Sequence, residues 1–312
     1  MKNKEIDIPM YDPFALVNKL SGHGEGGDNF TRSHIKSISK IFHINRAEDY
    51  VRLIPTPTPT DLTPFRLTVF NFIFLTKGKS IRSKGLNRYE FRENTFFFLP
   101  AYEITTHEAI DSDYEGFYCD FSLELLTQKA SQKEIFEEFP FLEFNSFPLV
   151  NINEVAKKHI VNILERLLEE YKTDKECRLD ILRTYLITLF TELKPFVAKS
   201  IPKTTNASSV ITEQYKKALT KHIYEKNKIT DYAELLSISP NHLNKCVKNT
   251  PGKSAHDLLN EMLLLEAKVL LKQTNLNVTE IAYKIGKNEV TDFARFFKSQ
   301  TGMKPSEYRL SK

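Results

Sequence analysis

Five side chains in the last third of the sequence are of the types that read base edges, and their spacing is helical. Asn241, Asn244 and Lys245 stand at i, i+3 and i+4, and Thr291 and Arg295 stand four apart, so each set falls on one helix face. An Asn amide pairs bidentately with adenine, and Lys or Arg donates to O6 and N7 of guanine. Asp292 has the chemistry to accept from cytosine or to cap its helix. Lys248, Lys287 and Lys298 are point charges suited to phosphates, which orient a protein on DNA without reading its sequence. Plainer readings stand beside these. Arg295 also suits a surface ion pair, and Glu289 and Asp292 suit the positive end of a helix dipole.

These residues need helices to hold them, and the pattern from 210 to 312 is helical throughout. Thr212, Thr230, Ser239, Ser254 and Asn277 occupy expected N-cap positions, with Pro240 just inside one start. Ser254 with Asp257 and Asn277 with Glu280 resemble capping boxes. Two helix–turn–helix units follow, TDYAELLSI with SPNHLNKCVKN and VTEIAYKI with EVTDFARFFKSQ. A helix from Ser254 to about Gln273, ~30 Å long, joins them. That strut matches the ~34 Å between successive major grooves on one face of B-DNA. Leu243, Ala282, Ile285, Phe293 and Phe297 complete the apolar faces inside the units. Charge agrees: Val210 to Lys312 holds 17 Lys and Arg against 11 Asp and Glu, in a chain of net charge +4.

The segment VTEIAYKIG…TDFARFFKSQTGMKPSEYR (278–309), with AELLSISPNHLNKCVKNTPGKS before it, closely resembles the AraC/XylS family of bacterial transcription regulators. The resemblance covers essentially all of 210–310. It implies two helix-turn-helix motifs on a rigid helix, double-stranded DNA as partner, a homodimer, a contact with RNA polymerase and a cytoplasmic location. It implies neither cofactor nor metal. The chain departs from the family pattern at Val247, Leu263 and Lys287.

The front of the chain reads differently, with 18 of the 23 phenylalanines preceding Val150. LTVFNFIFLT (67–76), TFFFLP (95–100), YEITTHEA (102–109) and EGFYCDFS (115–122) are short β-rich runs with turns near Gly78 and at Gly85 to Asn87. They predict an antiparallel barrel or sandwich, and they resemble more loosely the cupin-type sensing domain of that family, which implies the barrel. The proline–threonine run 55–64 predicts a loop near the barrel mouth. The expected fold is therefore α+β, with a cupin-like domain over 1–150, a helical dimerisation segment over 151–197, a linker over 198–209 and DNA-binding helices over 210–312. Asn71, Tyr102 and His107 are polar groups among many Phe and mark a candidate effector pocket; a filled barrel with Asn71 satisfied by backbone is the alternative. Leu179, Leu182, Leu186, Leu189, Leu193 and Phe196 form a seam at steps of three and four, which suits either a dimer interface or packing on the barrel.

Other classes fit poorly. His34, His43 and His107 lack the HxH spacing of a cupin metal site, and no P-loop, GxSxG or HExxH motif occurs, so no catalytic residue is assigned. Cys119, Cys177 and Cys246 lie far apart, as reduced thiols do. No apolar run reaches the ~20 residues of a membrane helix. A regulator without an effector, governed by abundance or a protein partner, shares the same architecture.

Overall fold

The computed structural model describes residues 41–49, 63–110, 113–128, 130–144, 146–172, 178–200, 206–249 and 253–311. His34, Cys177 and most of the proline–threonine run lie outside the described residues.

Ten strands precede the main helices: β1 (Phe42–Arg46), β2 (Phe65–Arg66), β3 (Phe70–Lys77), β4 (Lys79–Lys84), β5 (Asn87–Arg92), β6 (Thr95–Leu99), β7 (Ile104–Thr105), β8 (His107–Ile110), β9 (Glu115–Phe121) and β10 (Leu149–Asn151). They pair antiparallel as a five-stranded sheet ordered β1-β9-β3-β6-β10, a three-stranded sheet β5-β4-β8 and the pair β2-β7. The expected barrel does not close into one hydrogen-bonded ring among the described residues.

Alternation along β3 sets the layers. Phe70, Phe72 and Phe74 enter one core with Phe96 and Phe98, whereas Ile73 and Leu75 enter the opposite one with Phe97 and Leu99. Phe91, on β5, joins the second core, so the small sheet covers that face. The first face is covered by helices α1 (Leu123–Thr127), α2 (Gln132–Glu138), α3 (Glu154–Tyr171) and α4 (Leu179–Ser200). Phe190 of α4 is a hub there, with ring centroids 5.5 Å from each of Phe121, Phe139 and Phe141.

That packing decides the leucine seam. Leu182, Leu186, Leu189 and Leu193 are fully buried in the core of their own chain, and Leu179 packs half-buried at its edge. The four buried leucines cover the sheet of their own chain and leave no surface for a second copy, so for them the expected dimer interface is corrected to the packing alternative. Helix α4 also runs through Pro195 to Ser200 and so shortens the expected linker.

The remaining helices are α5 (Ala207–His222), α6 (Ile229–Leu235), α7 (Pro240–Lys248), α8 (Ala255–Gln273), α9 (Val278–Lys284), α10 (Val290–Thr301) and α11 (Pro305–Leu310). Ser239 caps α7 through the His242 N–H, and both expected capping boxes form, at Ser254–Asp257 and Asn277–Glu280. Thr212 and Thr230 are not caps. Asn206 caps α5, which leaves Thr212 inside it, its hydroxyl donating to Ser208 O at 2.8 Å. Helix α6 begins at Ile229, so Thr230 lies within its first turn.

Because Leu186 is core, Leu186→Ala is expected to cost ~2–5 kcal/mol in urea unfolding followed by far-UV circular dichroism. The sedimentation coefficient of the folded protein should stay that of wild type; a change of assembly state with unaltered stability would return the seam to the surface.

Candidate nucleic-acid interface

The two helix-turn-helix units, α6–α7 and α9–α10, are built alike. Each turn reverses through a residue at positive φ, Ser237 (55°) in the first and Gly286 (75°) in the second. In each, an amide beyond the turn returns to an alanine carbonyl, Ile238 N to Ala233 O at 3.0 Å and Lys287 N to Ala282 O at 2.9 Å. One more residue then precedes the second recognition helix, after which Leu243 and Val247 of α7 correspond to Phe293 and Phe297 of α10, all fully buried. The units also touch: Asn227 Nδ2 donates to Gly286 O at 3.3 Å.

With the buried positions fixed, the outward stripes follow. Asn241, Lys245 and Lys248 are exposed along α7, and Thr291, Arg295 and Lys298 are exposed at the matching places along α10. Both stripes run i, i+4, i+7 on one face. Arg295 is 80% exposed and lies 3.6 Å from Asp292, an exposed pair that constrains it little.

Two expected contact residues are otherwise engaged. Asn244 is half-buried, and its Oδ1 accepts the Ala255 N–H at 3.1 Å, supplementing the Ser254 cap of α8. An amide whose oxygen is so held lacks the acceptor half of a bidentate adenine pair. Its counterpart in α10 is half-buried Ala294, so Lys245 is the structural equivalent of Arg295. Lys287 is half-buried with Nζ 4.7 Å from the centroid of Phe296, a cation–π contact that draws it back from the groove face.

The candidate effector residues do not share a pocket. Asn71 is buried with its amide fully used: Nδ2 donates to Cys119 O (3.1 Å) and Asp120 Oδ1 (2.9 Å), and Oδ1 accepts from Arg82 Nη1 (3.1 Å). His107 is buried against Phe65, ring centroids 5.9 Å apart, where desolvation and the Arg82 charge push its pKa down. Tyr102 is 49% exposed on a turn. Ile73, Leu75, Phe91, Phe97 and Leu99 pack together in the space between the sheets.

A cleft of about 470 Å³ lies instead between the small sheet and α5, lined by Lys84, Tyr89, Glu103, Phe147, Lys216 and Lys217 among others. Lys84 is buried and donates to Ser146 O at 2.7 Å. Desolvation pulls its pKa down, Glu103 opposes that, and Lys217 adds to it. Asn87, at the start of β5, bridges to α5: its Nδ2 donates to Glu213 Oε2 (3.1 Å) and its Oδ1 accepts from Lys216 Nζ (2.6 Å). A second contact between the strands and the later helices is a buried ion pair, Arg66 Nη2 on β2 to Glu266 Oε1 on α8 at 2.7 Å, with the Tyr224 hydroxyl also donating to Glu266. Sequence reasoning passed over this pair. Its signal was one acid inside the apolar run MLLLEAKVLL, four residues from Met262 and from Leu270.

Residues 232–311 match the family model of a helix-turn-helix domain. Among curated relatives, the HTH-type transcriptional regulator YfiF of Bacillus subtilis is 23% identical over 77% of this chain and 76% of its own length. YisR of B. subtilis is 29% identical over 39% of this chain, and YijO of Escherichia coli 35% over 32%. The chain spans only 42% of YisR and 32% of YijO. Among solved structures, ToxT from Vibrio cholerae aligns over 86% of this chain and 98% of its own, at 15% identity and TM-score 0.40.

The turn residues give a test of this paired geometry. A Cβ on Gly286 would lie 2.5 Å from Asn227 Nδ2, in a left-handed conformation that costs non-glycine residues ~1–2 kcal/mol. Gly286→Ala is expected to lower unfolding free energy by at least that amount. Ser237→Gly, which relieves the same conformation but frees the unfolded chain, should shift it by no more than ~0.5 kcal/mol. Equal losses in both variants, read by urea titration, would show that the turns are not equivalent.

Proposed function

We propose that this chain, whose residues 232–311 match the helix-turn-helix domain model, is a regulator of the AraC/XylS type that binds double-stranded DNA by sequence and regulates transcription. The supporting observation is the matched pair of exposed stripes, Asn241–Lys245–Lys248 and Thr291–Arg295–Lys298, each backed by a fully buried core. Asn241, Lys245, Thr291 and Arg295 read base edges, while Lys248 and Lys298 position the helices on phosphates. Asn244 holds the start of α8, which ties the orientation of α7 to the strut between the two units.

Modulation by a small molecule is assigned to the cleft between the small sheet and α5, in place of the space around Asn71. A ligand there touches both halves of the chain, which gives it the differential contact that any shift between two arrangements requires. Pairing on DNA, contact with RNA polymerase and a cytoplasmic location belong to the same reading as family expectations. No catalytic step is assigned. No described helix is long and apolar enough to cross a membrane.

The test begins with an operator selected from random DNA. Lys245→Ala and Arg295→Ala are expected to lower the ratio of specific to random affinity by ~5–150-fold each, corresponding to ~1–3 kcal/mol of discrimination. Lys248→Ala and Lys298→Ala should leave that ratio nearly constant while reducing the salt slope by ~1 each. Asn244→Ala should lower stability more than the ratio. An unchanged ratio in both Lys245→Ala and Arg295→Ala would remove the stripes as the reading face.

A further inference from the structure

The ion pair between the two halves is strong on one side and incomplete on the other. Arg66 is 4% exposed, and burial opposes its charge, but Glu266 and the Tyr224 phenol outweigh that cost and hold it protonated. Its Nη2 donates to Glu266, whereas Nε and Nη1 are buried with no hydrogen-bond partner among the described residues. The same holds for Gln273 Nε2, although Gln273 Oε1 accepts the Arg66 backbone N–H at 3.2 Å. Buried donors left without an acceptor forfeit their hydration, so the docked contact carries an unfavourable component of its own.

A second carboxylate stands ready on the sheet side. Glu103 is 4% exposed and immediately precedes Ile104, the residue in register with Arg66 across the β2–β7 pair. Its Oε1 accepts the Ile104 N–H at 3.3 Å, and no other hydrogen bond holds it among those described. Burial pushes its carboxyl up, and the nearby charges of Lys84 and then Arg66 pull it back. Arg66 is thus within the field of two buried acids, Glu103 on its own domain and Glu266 on α8, with unused guanidinium N–H groups.

We propose that Arg66 is a two-position switch. Paired with Glu266, it docks α8 against the sheet domain; paired with Glu103 through Nε and Nη1, it keeps its charge compensated within the sheet domain and releases α8. The exchange keeps Arg66 compensated, and Glu266 is carried into solvent with α8, so neither charge is left buried alone. Glu103 also lines the cleft beside Lys84, so whatever occupies Lys84 changes how freely Glu103 competes for Arg66. Only the DNA arm of the test below rests on the regulator reading.

Full-length Glu266→Gln and Glu103→Gln proteins distinguish a switch from simple structural support. Glu266→Gln should open the molecule, raising the radius of gyration in small-angle scattering and speeding amide exchange across residues 259–273 at least tenfold. Glu103→Gln should slow that exchange below wild type, because the competing position is lost. Tyr224→Phe, a milder weakening of the Glu266 side, should move the same readouts in the direction of Glu266→Gln and keeps the test alive if that variant folds poorly. Affinity for the selected operator should move in opposite directions for the two glutamine variants, by threefold or more each. Faster exchange in both, or no change in either, overturns the switch. Absence of DNA binding in every variant would instead sink the regulator reading, with the exchange data still deciding the switch.

Discussion

A strand with no exposed face must be covered twice, and β3 is such a strand: Phe70 to Leu75 are all buried. From that constraint the rest of the N-terminal domain follows. One face takes the helices, which is why the α4 leucines point inward. The other takes the small sheet, whose β4–β5 hairpin then projects past the core and meets α5. The hairpin tip is tight enough to need Gly85, at φ 54°, where a Cβ would sit 3.3 Å from Glu103 and 3.5 Å from Thr220 of α5. Covering a phenylalanine-rich strand thereby delivers the sheet domain to the helices that follow it.

Polar groups buried in this process divide into two kinds. Asn71, Arg82 and Asp120 lie between the sheets and are linked by hydrogen bonds inside a single domain, so they fix its register. Arg66, Glu266 and Tyr224 lie between domains, and their pairing depends on both being in place. Chemically similar groups thus have different meanings, set by whether the partner belongs to the same unit.

Much of this was legible in the sequence where local chemistry decides. The capping boxes at Ser254 and Asn277, the Ser239–Pro240 start and the alternation of TFFFLP each name their own element within a few residues. What could not be read depended on distant partners. The three-and-four spacing from Leu179 to Leu193 shows that a face is apolar but not what covers it. Spacing alone put Asn241, Asn244 and Lys245 together, whereas matching Val247 to Phe297 shows that Asn244 turns toward α8 and leaves Lys245 outside. A polar residue such as Asn71 in an apolar strand suggests a pocket until Arg82, from the neighbouring sheet, supplies its partner.

The Arg66–Glu266 pair bears on how such a chain can be reshuffled by recombination. Residues 201–206, between the end of α4 and the start of α5, are a natural crossover point, since a cut there leaves both cores whole. Arg66 and Glu266 nevertheless fall on opposite sides of it, 200 positions apart. A chimera that keeps Glu266 and replaces Arg66 buries a lone carboxylate, at ~3–5 kcal/mol, whereas one that keeps Arg66 without Glu266 loses the docking contact. The two halves are modular in their folds and not in their inheritance: exchange succeeds only where donor and recipient carry compensating residues at both places, so the docking contact restricts which ancestors can have contributed to either half.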